Sequence, residues 1–191
     1  MSRILTLVLL MTVAGVASAA RESYTIDPNH TFPNFTINHL GYSTMHGRFG
    51  KTSGKLTLDR ETMTGSVEVV IDAASVDTGF HKRDDHLRSP DFLNVGEFPT
   101  ITYKADKVKL NKDGTGTVQG KLTLAGVTKP VTLTVDRMHC ATHPFDPSKK
   151  KFVCGFDASA MIKRSDFGVS YGLPGIGDEM QLSFELEAER N

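Results

Sequence analysis

From Phe35 onward, apolar and polar side chains alternate almost one for one, and this period of two limits the fold more than any other feature. Successive side chains on an extended strand point to opposite faces, so alternation builds an antiparallel sheet with one apolar and one polar face. Phe35, Ile37 and His39 share one face, and Thr36 and Asn38 the other. Leu56 and Leu58 oppose Thr57 and Asp59, and Val67, Val69 and Ile71 oppose Glu68 and Asp72, with Val70 as the exception. Ile101, Tyr103 and Ala105 alternate with Thr102, Lys104 and Asp106. Leu122 and Leu124 follow, then Val131, Leu133 and Val135, then Phe156, Ala158, Ala160 and Ile162, and finally Leu182, Phe184 and Leu186. Turn signals at Asp113-Gly114, Ala125-Gly126 and Pro174-Gly175 separate the runs. The pattern predicts an all-β domain of about eight strands.

One segment departs from it. Thr78 to Phe92 is polar and charged, with Asp77 or Thr78 placed to cap a short helix, Leu87 as its buried contact and Pro90 as its stop. Sandwich and barrel both fit the strands. Closure is favoured by length: Lys129–His139 would extend about 36 Å, and closing a sheet of long strands removes their unpaired edges. A barrel of about eight strands has an interior just wide enough for side chains or one slender ligand. Small inward residues at Ala158 and Ala160, between Phe156 and Ile162, leave a stripe of room along it.

The N-terminus reads as an export signal. Arg3 precedes an apolar run from Ile4 to Val16, and Ala17-Ser18-Ala19 supplies small residues at a cleavage site. The run is shorter than the roughly 20 residues that span a bilayer. Residues 1–19 are therefore expected to be removed, leaving residues 20–191 as one domain in the periplasm. In that oxidising compartment Cys140 and Cys154 are expected to pair across a polar hairpin loop. With Lys and Arg numbering 22 against 22 Asp and Glu, nothing in the charge balance attracts nucleic acid over long range.

Motifs for catalysis or metal binding are sparse in the chain. Of the seven histidines only His139 and His143 stand four apart, and they border the cysteine loop rather than share a helix; there is no H-E-x-x-H and no C-x-x-C, so no metal site is expected. No G-x-S-x-G elbow is present, Gly175-Ile176-Gly177 lacks the remaining glycine of a dinucleotide loop, and Asp84 and Asp85 are adjacent on one helix. No catalytic residue, cofactor or metal is assigned.

Several stretches in succession do carry a resemblance. Tyr24-Thr25-Ile26-Asp27 leads to His30 and then to Asn34-Phe35-x-Ile37-x-His39-Leu40-Gly41-Tyr42-Ser43. Ser75-Val76-Asp77-Thr78 precedes Arg83-Asp84-x-His86-Leu87-Arg88-Ser89, and Phe98-Pro99 follows. Gly120-x-Leu122-Thr123-Leu124-x-Gly126-Val127 and Arg164-Ser165-Asp166-Phe167-Gly168 complete the series. In this order, over nearly the whole exported chain, they resemble the YceI family of periplasmic lipid-binding or polyisoprenoid-binding proteins. The resemblance implies a lipocalin-like barrel holding an isoprenoid, quinone or other lipid-like small molecule. Some members are linked with cytochromes, so a membrane cytochrome is a candidate partner.

On that reading the tunnel would be lined by Phe35, Ile37, Phe49, Leu56, Leu58, Val67, Val69, Ile71, Ile101, Tyr103, Leu122, Leu124, Val131, Leu133, Phe156, Ala158, Ala160, Ile162, Leu182 and Phe184. His39, Arg83, Asp84 and Arg164 are the candidates to meet a polar headgroup. Three function classes stay open: a carrier, a filled barrel that serves as an interaction module for a redox partner, and an enzyme.

Overall fold

The computed structural model describes residues 21–191, so the export segment read at residues 1–19 lies outside the described residues. The alternating runs are strands: β1 (Glu22–Ile26), β2 (Phe32–His39), β3 (Ser43–Phe49), β4 (Thr52–Asp59), β5 (Thr64–Asp72), β6 (Val76–Asp77), β7 (Thr100–Leu110), β8 (Gly116–Leu124), β9 (Val127–Thr142), β10 (Phe152–Lys163) and β11 (Ile176–Arg190). All pairings are antiparallel, in the ring order β1-β4-β5-β7-β8-β9-β10-β11, and β1 returns to β11 to close an eight-stranded barrel.

Three staves of this barrel are broken strands. β2 takes over from β1 along the same edge of β11, where Ile26 pairs with Ala188 and Phe32 with Glu185. β3 pairs with β2 and continues into β4, and β6 continues β5 past a short 3-10 turn at Ala73–Ser75 to pair with β3. Closure leaves no long unpaired edge, which is the physical reason for the long strands. β9 reaches 16 residues, beyond the 11 read from the alternation, because the pairing with β10 continues through Phe152 opposite Thr142.

The barrel has two unlike ends. At one end, the β4–β5, β7–β8 and β9–β10 turns surround a packed plug in which Tyr24, Leu58, Met63, Leu110 and Ala188 are all buried. Burying each large apolar side chain contributes roughly 1.5–3 kcal/mol. The β9–β10 hairpin at this end carries the Cys140–Cys154 disulfide between residues that face each other in register, with Cα atoms 4.0 Å apart.

At the other end stand the β2–β3 turn, the β8–β9 turn, the long connection from β10 to β11, and helix α1 (His81–Arg88). The helix interrupts the β6-to-β7 connection. Its Arg88 clamps it to the wall by donating to the carbonyls of Ala74 and Val76, each at 2.8 Å. The helix start differs from expectation. Phe80 is the N-cap and makes no side-chain cap bond. Asp84 instead turns back to accept the backbone N–H and the hydroxyl of Thr78, and it is this carboxylate, not Leu87, that the helix buries. The bonds to Thr78 replace the water a buried carboxylate would lose. Among the described residues no helix is long and apolar enough to cross a membrane.

Candidate ligand-binding tunnel

Two chambers lie end to end inside the barrel. The larger, of about 390 Å³, sits under the helix end, and a smaller one of about 100 Å³ lies deeper. The larger falls within the size range of small-molecule pockets. Pro33 and Phe184 border both, so the two chambers adjoin.

The alternation placed the walls. Phe35, Ile37, Phe49, Ile71, Ile101, Leu122, Leu124, Ile162 and Leu182 line the upper chamber. Leu56, Leu58, Val67, Val69, Tyr103, Leu133, Phe156 and Ala158 line the lower one, and Phe184 stands between. Two named residues do not reach either. Val131 packs against the core without bordering a chamber, and Ala160 is buried on the inner face between the two.

Close packing of aromatic rings on glycines shapes the wall. The ring of Phe35 lies over Gly47, its register partner on β3, where a Cβ would come within 2.2 Å of the ring. Tyr103 lies over Gly120 in the same way, and its hydroxyl sits 2.9 and 3.1 Å from the carbonyl oxygens of Val118 and Val131. Burial pushes the Tyr103 hydroxyl up to about 12, so it stays a neutral donor.

The four headgroup candidates separate. His39 and Arg83 border the upper chamber. Asp84 does not, because its carboxylate is committed to Thr78. Arg164 borders the chamber, but its guanidinium is spent on the scaffold. It donates to the carbonyls of Gly177, Val169 and Ile176 at 2.8, 2.8 and 3.0 Å and is 2% exposed. Burial pulls its pKa below the ordinary arginine value, against the opposing pull of Asp178. Arg164 thus ties the β10–β11 connection and the start of β11 to the barrel end.

The remaining lining of the mouth escaped the alternation. Met45, His46, Phe80, His86, Phe92 and Met180 all reach the upper chamber. His86, Phe92 and Tyr171 form an edge-on aromatic cluster beside it, with ring centres 5.0 to 5.3 Å apart. Phe80, His86 and Phe92 sit on the helix and its flanks, where a period of two carries no signal, whereas Met45 and His46 lie on β3 and Met180 on β11.

Fold and site together define a closed antiparallel barrel with an apolar internal passage that starts at its helix-capped end. Residues 24–188 match the YceI-like domain, and the chain belongs to that family. A UPF0312 protein of Yersinia enterocolitica is 41% identical over 187 residues, covering 97% of this chain and 95% of its own. Among solved structures, Burkholderia cenocepacia BcnA superposes with a TM-score of 0.73 at 25% identity, covering 85% of this chain and 98% of its own. A polyisoprenoid binding domain from Saccharophagus degradans superposes with a TM-score of 0.66. Its coverage is 89% of this chain and 99% of its own, and at 20% identity it speaks for the shared fold alone.

Proposed function

We propose that this protein is a periplasmic carrier that holds the hydrocarbon chain of a long amphiphile, of the isoprenoid or fatty class, along the barrel axis. The observation that carries this reading is the barrel interior itself: two adjoining apolar chambers whose walls share Pro33 and Phe184. Moving a methylene from water into such surroundings is worth about 0.8 kcal/mol, so ten of them supply about 8 kcal/mol before the costs of association. A chain with few polar atoms needs no specific contacts along most of its length. The polyisoprenoid-binding description of a protein with the same fold supports the ligand class. The apolar leader and the disulfide support the compartment.

A filled barrel acting as an interaction module calls for a packed interior, and a chamber of about 390 Å³ argues against one. Organic extraction of protein purified from the periplasm, followed by mass spectrometry, tests the carrier. One long-chain molecule per protein is expected. A protein that releases no lipid, and takes up none when offered geranylgeraniol, is not a carrier.

A further inference from the structure

The break between β1 and β2 builds a cluster of donor atoms on the outside of the barrel. Ile26 pairs with Ala188 and Phe32 with Glu185, so the five residues 27–31 stand opposite only Leu186 and Glu187. The excess chain folds out as a loop. Leu186 borders the lower chamber and Ala188 is buried, so Glu187 between them points outward, toward that loop. Both ends of the loop are pinned to the backbone of Glu187. The Asp27 N–H donates to its carbonyl at 2.9 Å, and the buried Thr31 hydroxyl accepts its N–H at 3.1 Å.

Within the loop the Asn29 N–H donates to Oδ1 of Asp27 at 2.9 Å, which leaves Oδ2 facing His30 Nδ1 at 2.8 Å. One donor atom from each of Asp27, His30 and Glu187 lies within 4.8 Å of the other two. A His–Asp pair accounts for two of these side chains and not for the third. The Glu187 carboxylate accepts no hydrogen bond and joins no ion pair among the described residues, and the neighbouring cation, Lys151, is taken by Glu189 at 2.9 Å. Two carboxylates held this close repel each other unless a cation is shared between them.

We infer that Asp27, His30 and Glu187 form a surface site for a divalent transition-metal ion, zinc above all. Zinc takes imidazole nitrogen and carboxylate oxygen at about 2.0–2.2 Å, so three donors around one ion stand about 3.5 Å apart. Opening the His–Asp contact slightly and rotating Glu187 inward achieves that spacing. The imidazole favours zinc over calcium or magnesium, which prefer all-oxygen sites, and the lack of a thiolate disfavours copper(I). The ion would bind the loop between β1 and β2 to β11 and so pin the seam at which the barrel closes. Two ligands come from one loop and the third from the last strand, so no spacing motif in the sequence announces the site.

The test is calorimetric titration of ZnCl2 into the protein, prepared without a polyhistidine tag. One zinc per chain is expected. His30→Gln should weaken it by at least about tenfold, the loss that even a change beside a metal ligand brings. Glu187→Gln should do the same, although a purely structural reading gives that carboxylate no bond to lose. His81→Gln, on the helix at the far end of the barrel, should leave the affinity unchanged. Thermal unfolding supplies a second readout. Zinc at about ten times its dissociation constant should raise the melting temperature of the wild type by about 3 °C and leave that of His30→Gln unmoved. Without zinc the two should melt within about 2 °C of each other, since the His30–Asp27 pair is largely exposed on the histidine side. A wild type that binds no zinc, an affinity that survives in His30→Gln or Glu187→Gln, or calcium bound as tightly as zinc overturns the site.

Discussion

Phe184 on β11 stands directly opposite Pro33 on β2, and the two side chains form the waist between the chambers. On its other edge Phe184 pairs with Ala158 of β10. A large ring thus has a small neighbour on one side and a rigid one on the other, and a chain that fills both chambers must pass it. Phe184→Ala is expected to join the compartments and to increase affinity for longer prenols over shorter ones, at a stability cost of about 2 kcal/mol for the half-buried ring. Calorimetry with a series of prenols checks this, and an unchanged length preference would place the waist elsewhere.

Ala158 and Ala160 share a strand face but not a role. Ala158 borders the lower chamber and Ala160 does not. Ala158→Phe should therefore fill a space, leaving the unliganded fold within about 1 kcal/mol of wild type while shortening the chain the protein accepts. Ala160→Phe forces a ring into packed surroundings and should cost about 1–3 kcal/mol. Urea unfolding of the two delipidated variants separates them. Equal losses of stability would show that the lower chamber is not open space.

The Cys140–Cys154 bridge closes a loop in the β9–β10 hairpin at the barrel end away from the helix. Closing a loop of about 15 residues restricts the unfolded chain by about 3 kcal/mol in the chain-entropy account. Replacing both cysteines by serine should lower the unfolding free energy by an amount of that order. Because the bridge is remote from the mouth, binding of geranylgeraniol should survive. Free thiols titrating in the unreduced, folded protein would contradict the pairing.

Glu22 joins the start of β1 to the last residue of β11. It takes hydrogen bonds from Arg60 at 2.7 Å, from the Tyr24 hydroxyl at 2.6 Å and from Arg190 at 2.8 Å. Arg60 above all, with Tyr24 and Arg190, holds the carboxyl at about 2 against the opposing effect of burial. A carboxyl with a depressed folded-state pKa adds stability above its ordinary value of 4.5, and that stability is lost as the pH falls toward about 2. The group is partly solvated, so its contribution is about 1 kcal/mol. Wild type should exceed Glu22→Gln by that margin at neutral pH, and the gap should close in acid. A gap that stays constant down to pH 2.5 would contradict the ion-pair account.

The staves of the barrel were legible because one face of every strand is buried, and a period of two writes that burial into the sequence. The inner faces of β4 and β5 were readable from Leu56 to Ile71, but on β7 and β8 the alternation missed Val108, Leu110 and Val118, which reach the lower chamber beyond register shifts in the β5–β7 and β7–β8 pairings. The mouth was not legible. His46 and Met45 sit next to each other and both reach the chamber, which alternation forbids on a regular strand. Phe80, His86 and Phe92 reach it from a helix and its flanks, whose placement depends on Arg88 finding the carbonyls of Ala74 and Val76. Arg164 looked like a headgroup ligand because nothing in the sequence shows that the carbonyls of Val169, Ile176 and Gly177 converge on it. The cap of α1 failed for the same reason. Asp84 bonds backward to Thr78 through the fold and not through a local helix signal.

In a carrier of this kind an apolar chain lies inside the barrel with its far end beyond the waist. Photo-cross-linking with a long-chain fatty acid carrying a diazirine at its terminal carbon measures this directly, with adducts mapped by peptide mass spectrometry. Adducts are expected on the lower-chamber wall, in peptides containing Val67 and Val69, Leu133, or Phe156 and Ala158. Adducts confined to exposed apolar side chains of the outer surface, such as Met161 or Phe145, would contradict it.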